Sequence, residues 1–115
     1  MKHFLAIYMA TPSSLAKWRE QPESVRAEKQ AAGAAAWQAW VEQHKASIVD
    51  MGAPLGKTKA ISRAGISEIR NAMTAYTVVQ AETHEAAARL FENHPHFTMF
   101  PGELVEVMEC LPLPG

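Results

Sequence analysis

Phe4-Leu5-Ala6-Ile7-Tyr8-Met9 is an apolar run without a charged residue, and it is closed by Thr11-Pro12-Ser13-Ser14, which is turn and helix-cap chemistry. A strand apolar on both faces belongs at the centre of a sheet. A second such run is Ala75-Tyr76-Thr77-Val78-Val79-Gln80-Ala81, rich in β-branched and aromatic residues. Two other segments carry charges: Lys57-Thr58-Lys59-Ala60-Ile61-Ser62 and Leu104-Val105-Glu106-Val107-Met108. Those suit the margins of the sheet, where charged side chains face water.

The connections are helical. A short helix is expected around residues 15–19, and Pro22 then opens a longer one over residues 22–51, which Gly33 is expected to kink or break. Trp37, Trp40, Val41, His44, Ile48 and Met51 fall on one face of it. Gly52-Ala53-Pro54-Leu55-Gly56 ends that helix, residues 63–71 read as a polar loop, and Thr83 caps a second helix over residues 85–93. The order is βαββαβ, a ferredoxin-like α+β subunit with an antiparallel sheet. Two helices cover only one face of such a sheet, yet its central strands are apolar on both. A second subunit is the simplest cover, so the expected assembly is a homodimer in the form of a dimeric α+β barrel.

Bulk properties set the class. With 115 residues, 48% hydrophobic and 20% charged, the chain reads as one domain over residues 1–115, with an expanded first connection at about 12–33. Eleven Lys+Arg against twelve Asp+Glu leave a net charge of -1 without blocks of like charge, so nucleic acid and anionic membranes are not expected partners. A small-molecule ligand is. Cys110 is a single cysteine, which excludes an internal disulfide, agrees with a reducing, cytoplasmic compartment, and is expected to pack near the end of the last strand. No stretch approaches the ~20 apolar residues of a membrane span, and residues 4–10 lack a clean signal-peptide cleavage site.

Four segments taken in order resemble the YCII-related family, which includes proteins named for a DGPF motif. They are Lys2-His3-Phe4-Leu5-Ala6-Ile7-Tyr8; Gly52-Ala53-Pro54-Leu55-Gly56; Tyr76-Thr77-Val78-Val79-Gln80-Ala81 leading into Thr83-His84-Glu85-Ala86-Ala87; and His94-Pro95-His96 before Val105-Glu106-Val107. The resemblance covers most of the chain outside residues 12–33. It implies a dimeric α+β barrel with a small-molecule site, and some relatives of that barrel are lyases, isomerases or monooxygenases acting on cyclic or aromatic compounds. Two departures stand out. Gly65-Ile66-Ser67-Glu68 occupies the place of the DGPF tetrapeptide, and the family's helix histidine would fall nearer Val41 than His44, so His44 inherits no role by position.

The residues that carry chemistry cluster at His94-Pro95-His96-Phe97. Pro95 stiffens the turn, and imidazoles titrate near neutral pH, which suits general acid and base work. His94 and His96 are both candidate bases; His94, beside the preceding helix end, is the more structural of the two and is expected to cap its carbonyls. His96, with Glu106 as carboxylate partner, is the expected working residue. Tyr8, Trp40, His44 and Phe97 are the expected ligand contacts, although His44, on the apolar stripe, reads first as a satisfied core histidine. Asp50 either orients a histidine or is solvated near a helix end. No metal-ligand spacing, phosphate loop, dinucleotide glycine fingerprint or nucleophile elbow occurs, so neither metal nor cofactor is expected. Two functions stay open: a cofactor-free lyase or isomerase using histidine acid/base catalysis, and a non-catalytic binding or regulatory module. A carboxylate within hydrogen-bond reach of a histidine in a cavity would favour the enzyme.

Overall fold

The computed structural model describes residues 1–114. Strand β1 (Lys2–Met9) and strand β5 (Met73–Ala81) pair antiparallel at the centre of a four-stranded sheet of order β2-β5-β1-β6, in which β2 is Ile48–Asp50 and β6 is Leu104–Glu109. The doubly apolar runs are central, as their side chains demand. Register sets the two faces. Phe4, Ala6 and Tyr8 stand opposite Val79, Thr77 and Ala75, and with Trp40, Ala87 and Phe91 they form the core beneath the helices. Leu5 and Ile7 alternate to the other face with Val78 and Tyr76, and β6 adds Leu104, Glu106 and Met108 there, while Val105 and Val107 pack on the core.

The helical layer departs from expectation in instructive ways. Helix α1 (Pro12–Glu20) starts where Thr11 Oγ1 accepts the Ser14 N–H at 3.3 Å, and α2 (Glu23–Gln43) runs unbroken through Gly33. Gly33 does not break α2 because its missing side chain is what the Phe100 ring occupies: a Cβ there would drive into that ring. The helix stops at Gln43 rather than Met51. Ile48 and Val49 are β-branched, and after a 3₁₀ turn at Lys45–Ser47 this segment extends as β2, with Ile48 opposite Val79 and Asp50 opposite Val78. The vacant edge of β5 is thereby taken before Thr58–Ser62 arrives. That segment, β3, pairs instead with β4 (Gly65–Ile69), formed from residues expected as a loop, and the two make a separate hairpin. Every residue of β4 is exposed, so no burial pattern betrays it.

Thr83 caps α3 (His84–Arg89) as expected, its Oγ1 accepting the Ala86 N–H at 3.0 Å. The helix ends four residues before Asn93, whose φ of 58° lies in the left-handed region and turns the chain into α4 (Pro95–Thr98). Cys110 is exposed rather than packed, because it lies just past the end of β6. No described helix is long and apolar enough to cross a membrane.

Trp40 joins the layers: it is 6% exposed, contacts Phe91, and donates its indole N–H to the Leu90 carbonyl at 2.9 Å. Trp40→Ala removes that burial and leaves Leu90 without its donor, which should destabilise the fold by about 3–5 kcal/mol. Urea denaturation followed by circular dichroism measures it; an unchanged midpoint would show that the helix is anchored elsewhere.

Candidate functional site

The turn after Asn93 places His94 at the N-cap of α4, where its Nδ1 accepts the His96 backbone N–H at 2.9 Å. An imidazole that accepts at Nδ1 carries its proton on Nε2 when neutral. His94 therefore does not cap the carbonyls of α3; it serves the opposite polarity, at a helix start. Its ring is fully buried, with edge contacts to Trp37 and Trp40 at centroid distances of 4.5 Å and a tilted contact to Tyr8 at 5.0 Å. Burial, reinforced by the charges that His96 and His44 carry when protonated, pushes its pKa down to about 3.

A directed set of hydrogen bonds continues from that ring. The Thr77 hydroxyl donates to the Met51 carbonyl at 3.1 Å, so the Tyr8 hydroxyl, 2.9 Å from Thr77 Oγ1, is the donor in that pair. The Tyr8 oxygen then faces His94 Nε2 across a long 3.5 Å contact. Burial pushes the Tyr8 phenol up to about 12, the Thr77 hydrogen bond opposing. Both groups are neutral at pH 7, and the line of donors runs from the ring stack to Met51, at the rim of a cleft.

That cleft has a volume of about 500 Å³ and lies between α1, α2, the chain after β2 and the chain after α4. Leu15, Trp37, Pro54, Phe100 and Pro101 give it apolar walls, and Gln38, Thr74, Tyr76 and His96 are the polar residues along it. His96 is 4% exposed and donates from Nε2 to the Met9 carbonyl at 2.9 Å. A neutral ring that donates there keeps its lone pair on Nδ1. Burial lowers its pKa, and backbone hydrogen bonds to Met9 and Leu104 oppose the shift. Gly102 lies flat against this ring, its N–H donating to the His96 carbonyl at 3.1 Å, and a Cβ would collide with the imidazole. Glu103 fastens the same loop to the start of α1 through the Thr11 and Ser14 hydroxyls, which hold its carboxyl below the usual range.

Of the residues expected in the site, His96 lines the cleft. His94 and Tyr8 stand behind it in the ring stack, and Trp40 lies deeper in the core. His44 caps the end of α2, half-buried, with its ring 5.1 Å from that of Trp40 and outside the cleft lining. Phe97 is 39% exposed and touches the His96 ring from outside. Glu106, opposite Ile7, projects from the open face of the sheet, and the partner of His96 Nε2 is a backbone carbonyl. Asp50 accepts the Gly52 N–H at 2.8 Å, fixing the turn that a φ of 75° at Gly52 requires, and orients no histidine. Sequence reading missed Phe100 and Gly102, and it favoured packing over an aromatic ligand wall for Trp37. The Pro101-Gly102 pair was the available signal, since glycine after proline marks a turn where backbone and ring approach closely.

No family model matches the sequence, and no curated protein matches it. Among solved structures, the fold is similar to that of 5-chloro-2-hydroxyhydroquinone dehydrochlorinase from Burkholderia phenoliruptrix AC1100, solved in complex with 2,5-dihydroxybenzoquinone. The two are 23% identical with a TM-score of 0.51, over 91% of this chain and 89% of that one. The likeness is one of fold, and it agrees with the ferredoxin-like α+β class read from the strands.

The His94 environment predicts acid sensitivity. Its pKa falls from 6.5 to about 3 on folding, so the unfolded chain takes up a proton first as pH drops. The stability this group contributes is complete above pH 6.5 and is lost between there and pH 3, at up to about 1.4 kcal/mol per pH unit. His94→Asn keeps a capping oxygen and removes the titration. Its urea midpoint should be lower at pH 7.5 but fall less between pH 6.5 and 4.5 than that of the parent; parallel curves would contradict a neutral buried His94.

Proposed function

We propose that this chain binds a small, uncharged, ring-shaped molecule in the cleft beside His96. The lining carries the reading: aromatic and proline walls, four polar residues, and no lysine, arginine, aspartate or glutamate among the described residues. A phosphate or polycarboxylate would enter without a countercharge, at a heavy desolvation cost. A flat ring with one or two hydroxyls matches the walls and finds hydrogen-bond partners at Gln38, Thr74 and His96. The similar dehydrochlorinase is described with a ligand of that size. Kinship with the YCII-related proteins, a cytoplasmic location and a homodimer complete the reading. The dimer is supported by the open sheet face, where Leu104 and Met108 are 43% and 42% exposed beside the apolar side chains of Leu5, Ile7 and Val78.

A second reading adds chemistry: a cofactor-free lyase or isomerase in which His96 moves a proton. The neutral ring, anchored by Nε2–H to Met9, would take a substrate proton on Nδ1 and return it to a neighbouring atom. Burial makes it a weak base, so it suits only protons already acidified by a carbonyl or a phenol. No carboxylate hydrogen-bonds to His94 or His96 among the described residues, which favours the binding module over the enzyme.

Thermal melts and calorimetric titration with hydroquinone, which keeps its protons at neutral pH, and with 2,5-dihydroxybenzoquinone, which does not, test the pocket. Hydroquinone should bind more tightly, and Phe100→Ala should weaken it about tenfold. Preference for the anion, or binding of neither, would overturn the ligand class. Deuterium uptake into the ring carbons of 1,2,4-trihydroxybenzene tests the chemistry. Acceleration that His96→Asn abolishes supports the enzyme, and no acceleration supports the module.

A further inference from the structure

The β3–β4 hairpin stands apart from both layers of the fold. Its root is tied down where Pro54 bridges Ala75 and the Leu55 N–H donates to the Thr74 carbonyl at 2.8 Å; beyond that its strands pair only with each other. Ile61 and Ile66 face one another near its tip, 74% and 71% exposed, with the Lys59–Glu68 ion pair beside them on the same face. A lone two-stranded hairpin is marginal in water, and two isoleucines gain little from each other there. Overall shape agrees. The radius of gyration is 16.0 Å, against about 13 Å for a compact chain of this length. The smallest extent is 18 Å, room for the sheet and one helical layer.

A complementary surface lies on the opposite edge of the sheet. On β6, Leu104 and Met108 flank Glu106, which has no ion pair among the described residues. That strand and the residue before it carry Glu103, Glu106 and Glu109 and no cation. Residues 57–70 carry Lys57, Lys59, Arg63 and Arg70 against Glu68, four cations to one anion. Lys59 is matched by Glu68, whereas Arg63, in the turn two residues from Ile61, has no ion pair among the described residues. An apolar tip with a cation beside it thus fits an apolar strand with a carboxylate at its centre. Because one chain holds both surfaces, a two-fold axis makes the contact twice.

We propose that the β3–β4 hairpin is a dimerisation arm that lies on a second copy of this chain, seating Ile61 and Ile66 against that copy's Leu104 and Met108 and Arg63 against its Glu106. The inference rests on the homodimer reading and adds to it the element that holds the pair together. It also removes Glu106 from acid/base chemistry and gives it to the interface.

Sedimentation equilibrium of the full chain tests it. Ile61→Asp with Ile66→Asp should raise the dimer dissociation constant by at least about a hundredfold, with far-ultraviolet circular dichroism retained, since the hairpin lies outside the core. Glu106→Arg should weaken the dimer about tenfold, and adding Arg63→Glu to the same chain should restore it. If the parent chain dimerises and the double-aspartate variant does so equally well, the arm is wrong and the homodimer stands. If the charge-swapped chain stays as weak as Glu106→Arg alone, the Arg63–Glu106 pairing is wrong. A parent chain that stays monomeric at micromolar concentration overturns both the arm and the homodimer.

Discussion

The acceptor role of His94 Nδ1 is the constraint on which the cleft depends. By taking the His96 N–H it starts α4, fixes its own proton on Nε2 toward Tyr8, and aims the His96 ring at Met9. The next residues inherit that placement: Gly102 packs on the His96 ring, and Phe100 fills the notch that Gly33 leaves in α2. A cation at His94 would lose the Nδ1 lone pair and sit uncompensated among four aromatic rings. Burial prevents this by holding the ring neutral, so the electrostatics and the geometry enforce one another.

The same neutrality shapes what the cleft can do. Tyr8, Thr77 and His94 satisfy one another and the Met51 carbonyl, so the ring stack behind the cleft is uncharged. His96 lines the cleft with its Nε2–H already committed to the Met9 carbonyl. Such a site discriminates by shape and by one or two hydrogen bonds, and it penalises charge through desolvation. Those properties are the ones that the proposed flat, neutral ligand requires.

Much of the fold was legible because burial writes itself into sequence. The apolar runs of β1 and β5 identify the sheet centre, and Thr83 marks a helix start, whereas Pro95, expected in a turn, opens α4. The misreadings share one physical cause. Ile48 satisfies a helical apolar stripe as well as a β-branched edge strand, and the tertiary demand of β5 for a partner decides between them. The hairpin strands hide nothing from solvent, so period-2 patterning is weak in Thr58–Ser62 and absent from sight in Gly65–Ile69. In the site, the His94-Pro95-His96 turn was visible, yet its polarity was not: capping α3 or starting α4 depends on the left-handed turn at Asn93. Glu106 alternates with Val105 to the open face of the sheet, whereas the cleft lies on the helical side.

The most direct test of this account is the ionisation and tautomer of His94, read by long-range nitrogen–proton correlation of the imidazoles in the ¹⁵N-labelled protein. A proton on Nε2, an unprotonated Nδ1, and no titration of that ring from pH 8 down to the onset of unfolding are the expected results. A His94 ring that protonates near the ordinary histidine value of 6.5, or one that carries its proton on Nδ1, would contradict the acceptor role and the cleft built on it.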